Sequence, residues 1–446
     1  MNDDTIVAIA TASGLGSISI VRISGYEAYK IALKITKIST LKPRMATLAK
    51  LYDTKNELID ESIVIYFKNP HSFTGEDIIE FQCHGGVAVA SLVLDTVLLN
   101  GARMATPGEF SKRAFLNGKI DLTQAQAISK LIEAKSADAV KLLARQLKGE
   151  LKEFVEDIRK DLLFMLAYTE VNIDYAEEDL PSDIFEQIKT KLEAIEIKLN
   201  EALESSKRRE GLLDGFKMAI IGKPNVGKSS LLNKLLNFNR AIVSDIAGTT
   251  RDTIEESVKI GTHILKVIDT AGIRDASDEI ERIGIEKSLD AIKQSDIVVA
   301  IFDGSHPFDD EDTKILDLAT SSNKELIIII NKTDLEQKLD LTVFNKLGII
   351  ELNTKENIQP FIAKISTILD TQTGEDTITL ISKQQIIEVE DTLSEIIKSD
   401  TPLETGELEF FAYHINNALL SISNITRPYE HSAMLDTMFG EFCLGK

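Results

Sequence analysis

The sequence is poor in cysteine, in long apolar runs and in basic residues. Its 446 residues include two cysteines, Cys83 and Cys443, and neither belongs to a CxxC pair, so a disulfide framework is excluded and reduced thiols are expected. No apolar run approaches the ~20 residues that cross a bilayer. The N-terminal residues show no basic region followed by an apolar one. We therefore expect no secretory or transit signal, no membrane span and a cytoplasmic location.

Basic side chains are in deficit, with 50 Lys and Arg against 71 Asp and Glu and a net charge of −21. Residues 1–119 hold 13 of the basic and 12 of the acidic side chains, so the acidity belongs to residues 120–446. Such a surface argues against indiscriminate nucleic-acid binding by the whole molecule, although a local basic site or a partner subunit remains compatible with it. Solubility is the simpler explanation of the charge.

The length predicts about three domains. Residues 1–119 alternate short β-like runs with helical stretches and Gly or Pro, which is typical of a compact α+β domain. From Leu122 to Leu199, and again near the C-terminus, apolar residues recur at three- and four-residue steps, which predicts helices. We expect residues 120–212 and 373–446 to form one α-helical bundle domain, with two separate helical hairpins as the alternative.

Residues 213–372 alternate apolar strands with helices, a pattern typical of a doubly wound, mostly parallel α/β sheet. The strands are predicted at residues 218–221, 264–268, 297–302, 326–330 and 348–352. Because helical segments with apolar faces flank this domain on both sides, we predict that it is inserted into the helical domain. The predicted fold class is multidomain, with an α+β N-terminal domain, an α-helical bundle and an inserted α/β domain.

The segment GKPNVGKS at residues 222–229 follows the first of these strands and precedes a helical pattern, which is the context of a Walker A phosphate loop. Its glycines let backbone N–H groups converge on phosphate. Lys228 is expected to reach the β- and γ-phosphates, and the Ser229 hydroxyl is expected to hold Mg²⁺. The loop residues predicted to contact nucleotide are Asn225, Val226, Gly227, Lys228, Ser229 and Ser230.

Two further motifs complete a guanine-nucleotide pocket. The DTAG motif (Asp269, Thr270, Ala271 and Gly272) places a carboxylate for the Mg²⁺ shell and an N–H for the γ-phosphate. The NKTD motif supplies Asn331, Lys332 and Asp334, whose carboxylate accepts from the adjacent donors on N1 and N2 of guanine. Alone, each motif is equally a turn or a charged strand end. Their order, each after an apolar strand, predicts an α/β P-loop GTPase domain that binds GTP and GDP.

The residue after DTAG is Ile273, where many GTPases have a water-orienting Gln, so hydrolysis must be assisted otherwise. The loop Ser244, Asp245, Ile246, Ala247, Gly248, Thr249 and Thr250 is rich in oxygens, and we expect it to contact the nucleotide. With Asn225 it would coordinate a cation that neutralises developing charge, an effect worth roughly 10³ to 10⁵ in rate. A switch loop with Thr250 alone on Mg²⁺ is the simpler alternative. Glu281 is either a solvated charge or a water-orienting carboxylate.

Several longer motifs extend the pattern over the whole chain. They are VRISG (21–25), SFTGED (72–77), QCHGG (82–86), PGEFSKRAFLNGKIDL (107–122), GTTRD (248–252), DEIERIGIEK (278–287) and FCLGK (442–446). With them the chain resembles the tRNA-modification GTPase family MnmE (TrmE). The resemblance implies an N-terminal tetrahydrofolate-binding and dimerisation domain at residues 1–119, a split helical domain and a GTPase domain at residues 213–372.

The resemblance also implies roles for individual residues. Arg22, Glu80, Lys119 and Lys446 would bind 5-formyl- or 5,10-methylene-tetrahydrofolate; Asn225, Ser244, Ile246 and Thr249 would bind K⁺; Ser229 and Thr250 would bind Mg²⁺. Glu281 would orient the attacking water beside Lys228, and Cys443 belongs to a C-terminal motif implicated in the modification reaction. That motif resembles a prenylation box only superficially, because Gly445 and Lys446 do not fit one.

The implied function is a homodimeric, K⁺-stimulated GTPase acting on tRNA. With the FAD-containing partner MnmG (GidA), it would add an aminomethyl or carboxymethylaminomethyl group to the wobble uridine of certain tRNAs, and tetrahydrofolate would supply the one-carbon unit. GTP hydrolysis would drive opening and closing of paired GTPase domains. The alternative is a ribosome-assembly switch GTPase, which predicts neither folate binding nor an altered nucleoside.

Overall fold

The computed structural model describes residues 4–12, 14–174, 183–238, 256–268, 289–344, 347–371, 378–427, 439–440, 442 and 445. The chain divides into two compact units: Met1–Ser129, Gln146–Pro181 and Ser394–Lys446 form one, and Lys130–Arg145 and Ser182–Leu393 form the other. Each unit contains one six-stranded sheet. Among the residues described, no helix is long and apolar enough to cross a membrane. The four domain limits given above stay a prediction.

The sheet of the first unit is mainly antiparallel, with the strand order β3-β4-β5-β2-β1-β6 and one parallel pair, β1 with β6. Its elements are β1 (Ile6–Ile9), β2 (Ile18–Ser24), α1 (Ala28–Thr36), β3 (Thr47–Tyr52), β4 (Leu58–Phe67), β5 (Ile78–His84), α2 (Val87–Leu99), β6 (Arg103–Met104) and α3 (Glu109–Leu116). This arrangement confirms the predicted α+β fold of the N-terminal part.

The two faces of this sheet differ because successive side chains of a strand point to opposite sides. Val21 and Phe81 lie on the face that packs against α1 and α2 in the core. On the other face, Phe110 of α3 covers β1, but Leu48 and Ile63, which are register partners, stay exposed. The second face therefore offers an exposed apolar surface on β3 and β4.

The predicted helices are present as α4 (Leu122–Glu133), α5 (Ala137–Leu147), α6 (Glu150–Asp174), α7 (Asp183–Asp214), α11 (Lys383–Thr405) and α12 (Leu408–Asn424). The apolar stripe of α6 is buried at Ile158 and Leu162, and α12, which packs against α6, buries Phe411 and Ile415. Helix formation in these segments follows from the three- and four-residue spacing of apolar side chains.

The apolar spacing of Ile386, Val389, Leu393 and Ile397 predicts a stripe along α11, and this prediction is wrong at Ile397. Ile397 is 50% exposed, whereas the buried side carries Ile396 together with Thr392 and Ser399. These hydroxyls are buried at low cost because each donates to a carbonyl of its own helix, Thr392 to Glu388 O at 2.6 Å and Ser399 to Ile396 O at 2.7 Å. A sequence pattern that considers only apolar residues does not identify buried polar residues whose hydrogen bonds are made within the helix.

The sheet of the second unit is parallel except for β8, with the order β12-β11-β10-β7-β9-β8. Its elements are β7 (Phe216–Ile221), α8 (Lys228–Phe238), β8 (Glu256–Ile260), β9 (His263–Ile268), β10 (Ile297–Asp303), α9 (Asp310–Thr320), β11 (Glu325–Asn331), β12 (Ile349–Glu351) and α10 (Gln359–Thr371). The five predicted strands are all present, and β8 was not predicted. Helices α8 and α10 cover one face and α9 covers the other, which confirms the doubly wound α/β fold.

The central strands of this sheet are buried on both faces, so their sequences are continuous apolar runs. At their carboxyl ends the runs stop. Asp303 and Asn331 are register partners at the ends of β10 and β11, and the phosphate loop follows Ile221 at the end of β7. Polar groups thus gather at one edge of the sheet, where ligands of open α/β folds bind.

Candidate functional site

The loop of residues 222–227 joins β7 to α8 as the Walker A pattern predicts. Its backbone needs glycine at two positions. A Cβ at Gly222 would lie 2.5 Å from Ile301 O, and a Cβ at Gly227 would lie 2.1 Å from Asn331 Nδ2. Gly227 also has φ +112, and Asn225 has φ +62. The loop therefore turns tightly against β10 and β11 and leads into the N-terminal end of α8, the helix end that favours anions.

Lys228 lies at the start of α8 and is held by the loop itself. Its Nζ donates to Gly222 O and to Lys223 O, both at 2.6 Å. Burial lowers the pKa of Lys228 from its ordinary value to about 8. Phosphate oxygens would stabilise the charged form and raise this pKa again. The Lys228 ammonium is thus held at the loop, where a bound phosphate would stabilise its positive charge.

Lys223 fixes the outer side of the same loop. Its Nζ donates to Asp309 Oδ2 and to Asp312 Oδ2, both at 2.7 Å. Asp309 is the N-cap of α9, and the two aspartates form a capping box there. Burial opposes the charge of Lys223, but the two carboxylates outweigh it and raise its pKa above the ordinary value. The phosphate loop is therefore anchored to the start of α9.

Asn331 connects three loops at the sheet edge. Its Nδ2 donates to Val226 O at 2.7 Å, and its Oδ1 accepts from Thr354 N at 2.9 Å. The side chain is buried, so both hydrogen bonds are made away from water. Asn331 thereby joins the phosphate loop to the NKTD segment and to the loop that contains Thr354.

Lys332 turns back toward β10 from a left-handed backbone position with φ +65. Its Nζ donates to Asp303 Oδ2 at 2.6 Å. The other oxygen of Asp303, Oδ1, accepts from Ser305 N at 3.0 Å and from Ser305 Oγ at 2.7 Å. Burial would raise the pKa of Asp303, but the Lys332 contact and the Ser305 bonds lower it to about 2. Asp334, two residues beyond Lys332, is exposed at the sheet edge.

The structure thus brings together Asn225, Val226, Gly227, Lys228, Ser229 and Ser230 with Asn331 and Lys332 at one edge, and it leaves Asp334 exposed close by in the chain. Other predicted residues lie outside the described part of the chain: Ser244, Asp245, Ile246, Ala247, Gly248, Thr249, Thr250, Asp269, Thr270, Ala271, Gly272, Glu281, Cys443 and Lys446. Of the proposed metal ligands, the structure describes Asn225 and Ser229.

The predicted folate residues lie in the first unit. Arg22 and Glu80 are register partners on β2 and β5, and Glu80 Oε1 accepts from Arg22 Nε at 2.9 Å and from Arg22 Nη2 at 2.8 Å. The Arg22 guanidinium lies 5.8 Å from the ring centre of Phe110. This pair shares the sheet face that carries the exposed Leu48 and Ile63.

The remaining folate residues are placed less completely. Lys119 is exposed, and its Cε lies 3.0 Å from the position of a Cβ added to Gly75, so its side chain lies along the turn there. Gly445, which precedes Lys446, approaches β1: an added Cβ would lie 2.5 Å from Ile9 O. Gly445 therefore lies against the sheet of the N-terminal part.

Sequence reasoning missed four residues of the nucleotide edge, which is the sheet edge that carries residues 222–230 and Asn331: Lys223, Asp303, Asp309 and Asp312. A signal for Asp303 was available, because it ends the apolar strand 297–302 as Asp269 ends the strand 264–268. Asp309 and Asp312 belong to an acidic helix start that composition alone does not distinguish from a solvated one. Their partner Lys223 lies 86 and 89 positions away in the chain.

Comparison with known proteins covers the whole chain. Residues 5–119 match the family model described as GTP-binding protein TrmE N-terminus, and residues 122–443 match that of the MnmE helical domain. A crystal structure of Era from Aquifex aeolicus is 22% identical over 41% of this chain and 66% of that chain, with a TM-score of 0.26.

Two curated relatives are similar over their full length. The tRNA modification GTPase MnmE of Aliarcobacter butzleri is 66% identical over 445 residues, which are 100% of this chain and 99% of that protein. The tRNA modification GTPase MnmE of Sulfurimonas denitrificans is 58% identical over 451 residues, 100% of both chains. The chain therefore belongs to the MnmE family of tRNA modification GTPases.

Proposed function

We propose that the chain is a GTPase that acts with MnmG (GidA) in modifying the wobble uridine of certain tRNAs, adding an aminomethyl or carboxymethylaminomethyl group. The single observation that carries the GTPase part is the bond from Asn331 Nδ2 to Val226 O, since it joins a guanine-recognition motif to a phosphate loop. The tRNA part is supported by the two relatives, which are tRNA modification GTPases at 66% and 58% identity.

Nucleotide binding follows from the geometry of the loop. Lys228 leaves the carbonyls of Gly222 and Lys223 to contact the β- and γ-phosphates, and the backbone N–H groups at the start of α8 bind the same phosphates. At the base, Asp334 accepts from N1 and N2 of guanine. Asn331 holds the NKTD segment against the phosphate loop through its bond to Val226 O. A site built for these donors rejects adenine, which leaves the carboxylate unpaired, by roughly 10⁴-fold.

Hydrolysis is proposed to use two cations. Mg²⁺ fits the hydroxyl of Ser229 in the first turn of α8, with Thr250 as a second ligand and Asp269 acting through water. K⁺ would be held by oxygens of Asn225, Ser244, Ile246 and Thr249, and Asn225 is exposed on the phosphate loop as this role requires. K⁺ held by these residues would neutralise the charge that develops on the phosphates. Glu281 orients the attacking water.

The first unit is proposed to bind 5-formyl- or 5,10-methylene-tetrahydrofolate through Arg22, Glu80, Lys119 and Lys446. The Arg22–Glu80 pair is partly exposed, with 23% and 13% of the side chains accessible, so a ligand can reach both its charges. Arginine and carboxylate groups suit the donors and acceptors of a pterin and the carboxylates of its glutamate tail. Cys443 would take part in the modification reaction.

We also propose a homodimer through the sheet face that carries Leu48 and Ile63. These residues are 66% and 41% exposed, and Ile18 on the same face is 58% exposed. Exposed apolar area of this kind on a sheet is typical of an interaction surface. The dimer would carry paired GTPase domains, and MnmG with its FAD would join it in the cytoplasm, where tRNA and GTP are present.

The test is nucleoside mass spectrometry of tRNA from a strain that lacks the gene. We expect the aminomethyl and carboxymethylaminomethyl uridines to disappear and to return when the gene is restored. Unchanged wobble uridines would overturn the role in tRNA modification. The ribosome-assembly alternative predicts that result together with abnormal ribosomal subunits, and the relatives do not favour it.

A further inference from the structure

Asp303 divides its two carboxylate oxygens between two tasks. Oδ1 accepts from the backbone N–H and the hydroxyl of Ser305 and so shapes the turn after β10. Oδ2 accepts from Lys332 Nζ at 2.6 Å and lies 3.2 Å from Nδ1 of His306. The Asp303 side chain is only 10% exposed, whereas Lys332 is 29% and His306 is 71% exposed. One oxygen thus serves the local fold, and the other serves the NKTD segment.

The backbone holds these two segments side by side. Asp303 and Asn331 are register partners, and Gly304 N donates to Asn331 O at 2.9 Å. Gly304 O accepts from the backbone N–H groups of Lys338 and Leu339, beyond the NKTD turn. The Lys332 side chain, which leaves the backbone at a left-handed position, therefore has a fixed anchor within reach.

We propose that Asp303 is a positioning residue for guanine recognition, which holds the Lys332 side chain at the base-binding edge so that its alkyl chain and charge meet the guanine ring. The inference rests on the proposed GTP binding and adds a residue to it. A long lysine side chain loses rotamer freedom when it contacts a ligand. An ion pair that orders the chain beforehand removes part of that loss from the binding step.

The division of the two oxygens makes a selective test possible. Asp303→Asn can keep a carbonyl oxygen toward Ser305 and place an amide group toward Lys332, which cannot accept from the ammonium. Asp303→Glu keeps the charge. Lys332→Met removes the ammonium and leaves every other contact of Asp303 intact. His306→Gln is the matched control, because it changes the other neighbour of the same oxygen.

Dissociation constants of full-length protein are measured with Mg²⁺ for GTP and for inorganic triphosphate, which probes the phosphate loop alone. We expect Asp303→Asn to weaken GTP binding about 10- to 150-fold, the range for a hydrogen bond to a charged group. Triphosphate binding should change less than about twofold, as should GTP binding by His306→Gln. Lys332→Met should lose as much as Asp303→Asn, and the double variant should lose no more than Lys332→Met. Asp303→Glu should recover part of the affinity.

Several results would overturn the assignment. Additive losses in the double variant would show that Asp303 does not act through Lys332. An equal loss for triphosphate would mean that the substitution disturbs the whole edge. Unchanged GTP affinity of Lys332→Met would remove the role of Lys332, whether or not Asp303→Asn folds. Failure of the proposed function is distinguishable, since then the unaltered protein itself would not bind GTP.

Discussion

Substitution of Gly227 by alanine probes the junction between the phosphate loop and the NKTD segment. The new Cβ would lie 2.1 Å from Asn331 Nδ2 and 3.2 Å from Thr354 Oγ1, and the backbone has φ +112. The Asn331 side chain must therefore move, and its bond to Val226 O is lost. The prediction is that Gly227→Ala destabilises the second unit and abolishes measurable GTP binding.

The expected loss in the free energy of unfolding has two parts. Holding alanine at this backbone conformation costs about 1–3 kcal/mol. Breaking the Asn331–Val226 bond leaves buried polar groups unpaired, at about 1–3 kcal/mol. The free energy of unfolding should thus fall by about 2–6 kcal/mol. For a unit of this size each kcal/mol lowers the melting temperature by about 2–4 °C, so a drop of about 5 °C or more is expected.

The assay is thermal unfolding of the full chain without nucleotide, followed by circular dichroism because the sequence has no tryptophan. Gly348→Ala is the matched control. Gly348 lies beside β12 in the same unit, its φ is not in the left-handed region, and an added Cβ meets nothing within 4 Å. Its melting temperature should stay within about 2 °C of the unaltered protein. Equal melting temperatures for the two variants would show that the close approach of Gly227 to Asn331 does not constrain this position.

Three further predictions concern charge and cations. Burial lowers the pKa of Lys228 to about 8, so between pH 8 and its ordinary value near 10.5 the unfolded chain holds a proton that the folded chain has lost. The nucleotide-free protein should therefore gain stability relative to Lys228→Met as pH rises from 8 to 10 in urea unfolding, and a constant difference would contradict this. Arg22→Gln should weaken binding of 5-formyl-tetrahydrofolate about tenfold in calorimetry, whereas Lys30→Gln, which removes an exposed pair with Glu27, should not. Replacing K⁺ by Na⁺ should lower the GTPase rate by about 10³-fold or more, and equal rates in the two salts would exclude a catalytic K⁺.

Much of the fold was predictable from short-range patterns. The strands β10 and β11 are continuous apolar runs, β7 and β9 are apolar apart from one lysine each and His263 at the start of β9, and the helices α6 and α7 repeat apolar residues at three- and four-residue steps. These patterns depend on neighbours in sequence, so they can be recognised without knowledge of the tertiary structure. Strand β8 was missed because Glu256–Ile260 mixes polar and apolar residues at the edge of the sheet.

The motifs predicted the nucleotide edge, but they did not predict its supporting contacts. Lys228 and Asn331 are recognisable because their spacing to glycine or aspartate is local. Lys223 contacts Asp309 and Asp312, and Lys332 contacts Asp303, only because parallel strands bring distant loops to one edge. The pairing of such residues has no local signal, although Asp303 alone is recognisable at the end of an apolar strand. The burial of the polar side of α11 was not predicted for a related reason. In the sequence, a residue whose hydroxyl donates to its own helix cannot be distinguished from a surface residue.

The dependence of tRNA modification on GTP chemistry is tested by restoring the wobble nucleosides in the deletion strain with variants of the nucleotide edge. Genes for the unaltered chain, for Lys228→Met and for Gly348→Ala are expressed at matched protein levels, and the tRNA nucleosides are quantified by mass spectrometry. We expect the unaltered chain and Gly348→Ala to restore the modified uridines and Lys228→Met to fail, because its loop lacks the ammonium proposed to contact phosphate. Full restoration by Lys228→Met would contradict the claim that this site's GTP chemistry drives the modification.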